Sequence, residues 1–244
     1  MKNVLWTGGW DSTFRVLHLA LVKREPVQPY YVKDNARPST QMEMATMERI
    51  RQMIAQKDRQ AESLLRPTIV VKMEDIPEND EITGSFQKLL AISHLGSQYD
   101  WLSRFAHSRD LNDLELCIHL DDKAEGFLKN DVHWTADGDY CVLNDPPSRA
   151  ELEIFRCFHF PLLNLSKLRM GEIAKANGYQ EIMEKTWFCF RPTKRGKPCG
   201  ECNPCKYTRE EGLGRRVPPP PFSRRVRRFA EKVKRKIAQA FRAG

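Results

Sequence analysis

Asn3-Val4-Leu5-Trp6-Thr7-Gly8-Gly9-Trp10-Asp11-Ser12-Thr13 decides the fold. Its first four residues form a short apolar run. A tight Gly8-Gly9 turn follows, and then the helix-like run Phe14 to Leu21. The order is strand, turn, helix N-terminus. Such a junction aims backbone N–H groups, hydroxyls and the positive end of a helix dipole at one point. Two glycines let the backbone approach a phosphate closely, because no Cβ intervenes. Ser12 and Thr13 offer hydroxyl donors, and Asp11 offers a carboxylate for Mg²⁺. The structural alternative is a Gly-Gly turn followed by an Asp helix cap. No Gly-Lys-Ser/Thr follows at the right spacing, so the stretch is not a Walker A loop.

The segment Thr7 to Thr13 resembles the Ser-Gly-Gly-x-Asp-Ser signature of the PP-loop ATP pyrophosphatases, with Thr7 where that family usually has Ser. The resemblance implies a loop that holds the β- and γ-phosphates of ATP. These leave as pyrophosphate when a substrate oxygen attacks the α-phosphate.

Outward from this stretch, strands and helices alternate. Tyr30-Lys33 and Thr68-Val71 read as strands, Leu114-Leu120 reads as a buried strand, and Thr40 to Lys57 reads as a helix with Met47, Ile50, Met53 and Ile54 on one face. Phe86 to Phe105 has a helical pattern with a break near Gly96. His133 to Leu143 reads as a β-hairpin around Asp137-Gly138. Ser148 to Phe158 reads as a helix, with Ser148 and Glu151 as a capping box. Alternation of this kind predicts an α/β fold with a doubly wound parallel sheet, whose ligands bind beyond the carboxyl ends of the strands. The PP-loop resemblance makes that sheet five-stranded, of the adenine nucleotide alpha-hydrolase-like type.

Cys189, Cys199, Cys202 and Cys205 follow a C-x9-C-x2-C-x2-C spacing. Four thiolates suit a closed tetrahedral zinc site with no open coordination position. An iron–sulfur cluster uses the same ligand type. Zinc here is expected to be structural, stapling a loop-rich segment. Cys117, Cys141 and Cys157 read as buried structural thiols. The total of seven cysteines is odd, which with the four-cysteine bunch favours a reducing compartment over disulfides.

The opening loop, Pro161-Leu162-Leu163 leading to Lys167, Thr186-Trp187-x-Cys189 and Cys199-Gly200-x-Cys202-x-x-Cys205 occur in an order that is similar to the 7-cyano-7-deazaguanine synthase family. That resemblance implies an ATP-dependent C–N ligase-like enzyme. It adenylates an acceptor carboxylate or amide, most plausibly of a deazapurine, and releases pyrophosphate. It implies that Thr7, Gly8, Gly9, Asp11, Ser12 and Thr13 hold phosphates and Mg²⁺. Lys167 reaches the same phosphates, Val32 contacts adenine, and the four cysteines bind zinc. Asp11, Ser12 and Lys167 are the catalytic set. This chain departs from the family in two places. The family's Pro-x-Arg-Asn segment has no counterpart near Leu95-Tyr99, and Ile118-His119-Leu120-Asp121-Asp122 stands where the family has a Gly-rich segment. These parts shape the acceptor pocket. The departure leaves room for a diverted role on a deazapurine-linked macromolecule, for tRNA base modification, or for a non-catalytic nucleotide- and zinc-binding adaptor. His119, Asp121 and Asp122 read equally as substrate contacts and as a helix start after a strand.

Of the 244 residues, 41% are hydrophobic and 30% charged, as in ordinary globular proteins, and no apolar run is long enough to cross a bilayer. The chain opens straight into a strand, so no signal peptide is expected, and the expected location is cytoplasmic. From Arg215 to Gly244 there are eleven Lys/Arg against one Glu, a local +10 within an overall +8, which leaves −2 for the rest. Pro218-Pro221 reads as a stiff spacer. Beyond it, Phe222, Val226, Phe229, Val233, Ile237 and Phe241 make one apolar stripe on a basic amphipathic helix. Its expected partners are an anionic membrane surface, RNA or an acidic protein; the alternative is that the stripe packs on the protein's own acidic body. The expected organisation is a PP-loop domain over 1–180, a zinc segment over 181–214 and a linker with tail helix over 215–244. A homodimer is compatible with it.

Overall fold

The apolar opening forms β1 (Lys2–Leu5), with Val4 and Leu5 buried. These assignments come from a computed structural model that describes residues 1–120 and 122–219; the expected tail helix lies outside them. Thr7-Gly9 turn the chain into α1 (Trp10–Leu17), which continues as a π-helical turn over His18–Lys23. β2 (Val27–Lys33) starts earlier than its expected first residue, Tyr30, and runs through Pro29. Proline donates no ladder hydrogen bond, which is why sequence alone starts the strand after it. α2 (Thr40–Lys57) has the expected limits and buries Met47, Ile50 and Ile54. α3 (Arg59–Ser63) is capped by Asp58, whose side chain accepts from the Ala61 N–H, and β3 (Ile69–Lys72) follows.

The helical pattern of 86–105 is two helices, α4 (Asp80–Ile92) and α5 (Gln98–Ser108), with the break where Gly96 placed it. α4 begins before Phe86 because the Asn79 side chain caps it, accepting from the Ile82 N–H at 3.0 Å. β4 is only Leu114–Glu115, shorter than the expected 114–120. Past it, the Ile118 N–H bonds to the Leu116 carbonyl at 2.8 Å, a tight turn that lifts the chain off the sheet. α6 (Glu125–Leu128) leads to the hairpin of β5 (Val132–Trp134) and β6 (Cys141–Leu143), as expected. Gly138 sits at its tip with φ 67°. Tyr140 does not pair with Trp134 across the hairpin, as an aromatic cross-strand pair would. Its ring stacks on His159 at 4.0 Å.

Ser148 to Phe158 is not an α-helix. Ala150–Phe155 is a 3-10 segment, because Ser148 is taken by Asp131, which accepts from its N–H at 2.6 Å and its hydroxyl at 2.9 Å. β7 (Phe158–His159), α7 (Lys167–Ala176) and α8 (Gln180–Met183) complete a compact unit that ends at Trp187. A second unit starts at Phe188 and contains α9 (Asn203–Thr208).

All five strands of the main sheet are parallel, in the order β3-β2-β1-β4-β7. Strand order therefore reverses between β1 and β4, and the crevice beyond their carboxyl ends is where such sheets bind ligands. Thr7-Gly9 leave β1 there, and His119 lies on the segment that leaves β4.

Under α1, a buried ion cluster ties helix, sheet and hairpin together. Arg15 donates to both Glu115 oxygens at 2.7 Å and to both Asp139 oxygens at 2.9 Å. Arg15 is 3% exposed and Glu115 is fully buried. Lys2 and Lys23 also bond to Asp139. Loss of one partner of such a pair leaves a buried charge uncompensated, which costs about 3–5 kcal/mol. Burial pushes the Asp139 carboxyl up, but hydrogen bonds from Arg15, Lys23 and Lys2 outweigh it and hold the group well below the usual carboxylate range. Its stabilisation is therefore whole above the unfolded value of about 4 and is lost as pH falls below it. Asp139→Asn is expected to lower Tm at neutral pH and to flatten the loss of Tm between about pH 5 and about pH 3. Equal acid slopes in variant and parent would contradict this role.

Candidate nucleotide site and metal centre

The bend after β1 is shaped by what packs behind it. Gly8 has φ +70°, a conformation that L side chains rarely adopt. A Cβ there would lie 3.2 Å from the Glu43 carbonyl oxygen and 3.3 Å from Thr46 and Met47 of α2. Its own carbonyl accepts from the Trp187 N–H at 2.8 Å. The bend is thus held between α2 and the Thr186-Trp187 segment. Gly9 is the N-cap residue of α1 and makes no side-chain cap bond, so the positive end of the helix dipole lies at the bend.

The predicted residues fall into three positions. At the mouth, Thr7 and Ser12 place their hydroxyls 3.4 Å apart, and Ser12 Oγ accepts from the Thr7 N–H at 3.3 Å. Asp11 follows Trp10 in the first turn of α1, and its Oδ2 lies 3.6 Å from Lys167 Nζ. Ser166 caps α7, its side chain accepting from the Arg169 N–H, and this sets Lys167 at the first helical position. The Lys167 carbonyl accepts from Trp10 Nε1 at 3.2 Å, across 157 residues of sequence. Behind the mouth, Thr13 is fully buried, and its hydroxyl accepts from Trp6 Nε1 at 3.0 Å. Val32 is 8% exposed and belongs to the core cluster that includes Leu5 and Val71.

Asp11 Oδ1 is buried and has no hydrogen-bond partner among the described residues. An ionised oxygen shut away without a donor costs more than the usual 1–3 kcal/mol of an unmet polar group. A hard divalent cation satisfies such an oxygen, and Mg²⁺ keeps one or two carboxylates beside phosphate and water ligands. The residues present fit that ion.

The sequence offers His119 equally as a substrate contact and as part of a helix start after a strand. It is 3% exposed, with Nε2 4.0 Å from Asp11 Oδ2. Asp122 accepts from the Ala124 N–H at 2.9 Å and from the Tyr99 hydroxyl at 3.2 Å, so it organises the turn after β4. Burial and then Asp122 push the Tyr99 hydroxyl well above its usual range. Two open clefts lie elsewhere. One of about 380 Å³ is lined by residues that include Lys123, Phe127, Arg149 and Leu152; another of about 430 Å³ lies beside Met44, Met47 and Val70. Neither includes Asp11 or Lys167. A triphosphate needs donors and cations more than an apolar hollow, so chemistry favours the bend.

In the second unit, all four cysteine sulfurs lie within 4.8 Å of one another. Cys202 and Cys205 stand 3.4 Å apart, Cys189 and Cys202 3.8 Å, and Cys199 and Cys205 3.9 Å. Four sulfurs at about 2.3 Å from one tetrahedral ion stand about 3.8 Å apart, so the set fits a metal such as zinc. Gly200 makes the turn with φ +77°, and a Cβ there would meet the Pro218 carbonyl oxygen at 2.6 Å. Backbone N–H groups point at sulfur: Cys199 to Cys189, and Glu201 and Cys202 to Cys199. Burial works against the Cys202 thiolate, yet hydrogen bonds from the Cys205 and Phe190 N–H groups bring that thiol down to about 7. Burial pushes Cys189 up to about 11. Four thiols in this space do not all ionise unless a cation joins them.

No curated protein matches the chain. Among the described residues, no helix is long and apolar enough to cross a membrane. A family described as queuosine biosynthesis protein QueC matches residues 143–216, the stretch that runs from β6 through Lys167 and Trp187 to the four cysteines. Over those residues the chain is similar to that family, which supports the resemblance to PP-loop proteins of the 7-cyano-7-deazaguanine synthase type.

Proposed function

We propose that this protein adenylates an acceptor carboxylate with ATP and releases pyrophosphate. The family match supports an ATP-utilising PP-loop enzyme of the synthase type. The observation that carries the finer reading is the meeting of Asp11 and Lys167 at 3.6 Å, beside the Gly8-Gly9 bend and the N-terminus of α1. The pair comes from opposite ends of the unit and packs no core. It puts one cation and one metal-binding carboxylate where a triphosphate would meet helix N–H groups.

In this reading, an acceptor carboxylate oxygen forms a bond to the α-phosphorus, and the bond to the bridging oxygen of the β-phosphate breaks. Pyrophosphate leaves with that oxygen. Lys167 offsets charge on the departing phosphates, and Ser12 and Thr7 donate hydroxyl hydrogen bonds to them. Thr13 supports the turn from behind. Asp11 would hold the Mg²⁺, which when bound neutralises phosphate charge and orients the chain of phosphates. Ammonia then adds to the acyl carbon, a proton is lost and AMP leaves, giving a primary amide. A second ATP can activate the amide oxygen in the same way, and loss of AMP and two protons gives a nitrile. No protein nucleophile is required, because the work is positioning and charge neutralisation.

The acceptor proposed by family resemblance is a carboxylated deazapurine, and Val32 remains the proposed neighbour of adenine. The basic segment from Arg215 suits recruitment to a polyanionic surface, RNA or an acidic protein. In the second unit, zinc is proposed as the bound metal, with a structural role, since four sulfurs leave no open position.

Two outcomes follow. Purified protein given ATP, Mg²⁺ and a carboxylated deazapurine should release pyrophosphate, with Asp11→Ala and Lys167→Ala each slowing it about a hundredfold or more. Pyrophosphate release that both variants leave unchanged would remove the bend from the reaction. Metal analysis should find one zinc per chain, lost in Cys202→Ser, with a fall in Tm and no new reactive site. A variant that keeps its zinc and its Tm would rule out the four-sulfur centre.

A further inference from the structure

The two oxygens of Asp11 stand in different surroundings. Oδ2 faces Lys167 Nζ at 3.6 Å and His119 Nε2 at 4.0 Å. Oδ1 is shut off from water and meets no donor among the described residues. His119 itself is 3% exposed, and its place is fixed from both sides. Its carbonyl accepts from the Asp122 N–H at 2.9 Å. The next residue, Leu120, donates its N–H to the Leu165 carbonyl at 3.1 Å. Leu165 lies just ahead of Ser166, the cap residue that sets Lys167. The two side chains beside Oδ2 are therefore carried on segments bonded to each other.

We propose that His119 is a positioning residue for Asp11. With Lys167 it fixes Oδ2, and the carboxylate plane so held sets Oδ1, the oxygen that meets no donor among the described residues, as the oxygen for the divalent cation that accompanies ATP. The inference rests on the reading of the bend as an ATP site. At 4.0 Å the contact is longer than a hydrogen bond, so the imidazole acts as a wall for Oδ2, and the role needs no change of its protonation. A wall of this kind restricts the rotation of a carboxylate that a glycine at the same place would leave free. Groups that orient a metal ligand without touching the metal typically change metal affinity by tenfold to a hundredfold when removed.

The test uses the full chain with Mn²⁺ as the probe and a non-hydrolysable ATP analogue. Free Mn²⁺ is followed by electron paramagnetic resonance as the protein–analogue complex is titrated. His119→Ala should weaken Mn²⁺ binding in that complex by about tenfold to a hundredfold, and His119→Gln by less. Binding of the analogue without metal should stay at the parent value in both. A folded His119→Ala protein that binds Mn²⁺ as tightly as the parent overturns the proposal. If that variant does not fold, His119→Gln decides: weaker Mn²⁺ binding supports the role, and unchanged binding overturns it. If the parent itself binds no Mn²⁺ with the analogue, the ATP reading fails and this inference falls with it. If the parent binds and the variants match it, only the positioning role is lost.

Discussion

The site depends on one close approach of backbone to backbone. Gly8 is a left-handed residue at which a Cβ would come to 3.2 Å from the Glu43 carbonyl oxygen, while the Gly8 carbonyl accepts from the Trp187 N–H. Any side chain at Gly8 would have to push α2 away and adopt an unfavourable backbone conformation as well. Because the bend is clamped there, α1 starts in a fixed direction and its first turn faces the crevice between β1 and β4. Asp11, Ser12 and the helix N-terminus then point to one place without any flexible loop.

The same helix is anchored further along by charge. Arg15 sits in the second turn of α1 and reaches Glu115 on β4 and Asp139 at the hairpin tip. A buried ion cluster of this kind adds little net stability over apolar packing, but each partner is costly to lose. Its effect is to fix the angle between α1 and the strand on the far side of the crevice. The geometry at Asp11 and the geometry at His119 are then set by one helix and one strand that cannot slide independently. The second unit is organised on a different principle. Turns and N–H···S bonds gather four sulfurs, and a cation would complete what little apolar packing that segment has.

Much of this was legible in the sequence. The opening bend, the limits of α2, the hairpin at Asp137-Gly138 and the cysteine set all carry local signals, through turn residues, periodicity or ligand spacing. The break at Gly96 was equally plain. What failed had a tertiary cause. The capping-box pattern at Ser148 was overridden because Asp131, a residue from before the hairpin, captures both groups that Ser148 would give a helix. The strand at Leu114 stops early because the chain turns at Leu116, and nothing in that apolar run announces the turn. Arg15, Glu115 and Asp139 lie 100 and 124 residues apart, so no spacing rule could join them. His119 carries no local signal that separates a substrate contact from a helix start, and its nearness to Asp11 exists only once β1 and β4 are neighbours.

The most direct test of the account is a crystal structure of the full chain with Mg²⁺ and a non-hydrolysable ATP analogue. The account predicts phosphate density at the Thr7-Ser12 bend, within reach of Lys167 Nζ, with the cation on Asp11. Nucleotide density in the cleft beside Met44 and Val70, or in the one lined by Lys123 and Arg149, with an empty bend, would contradict it.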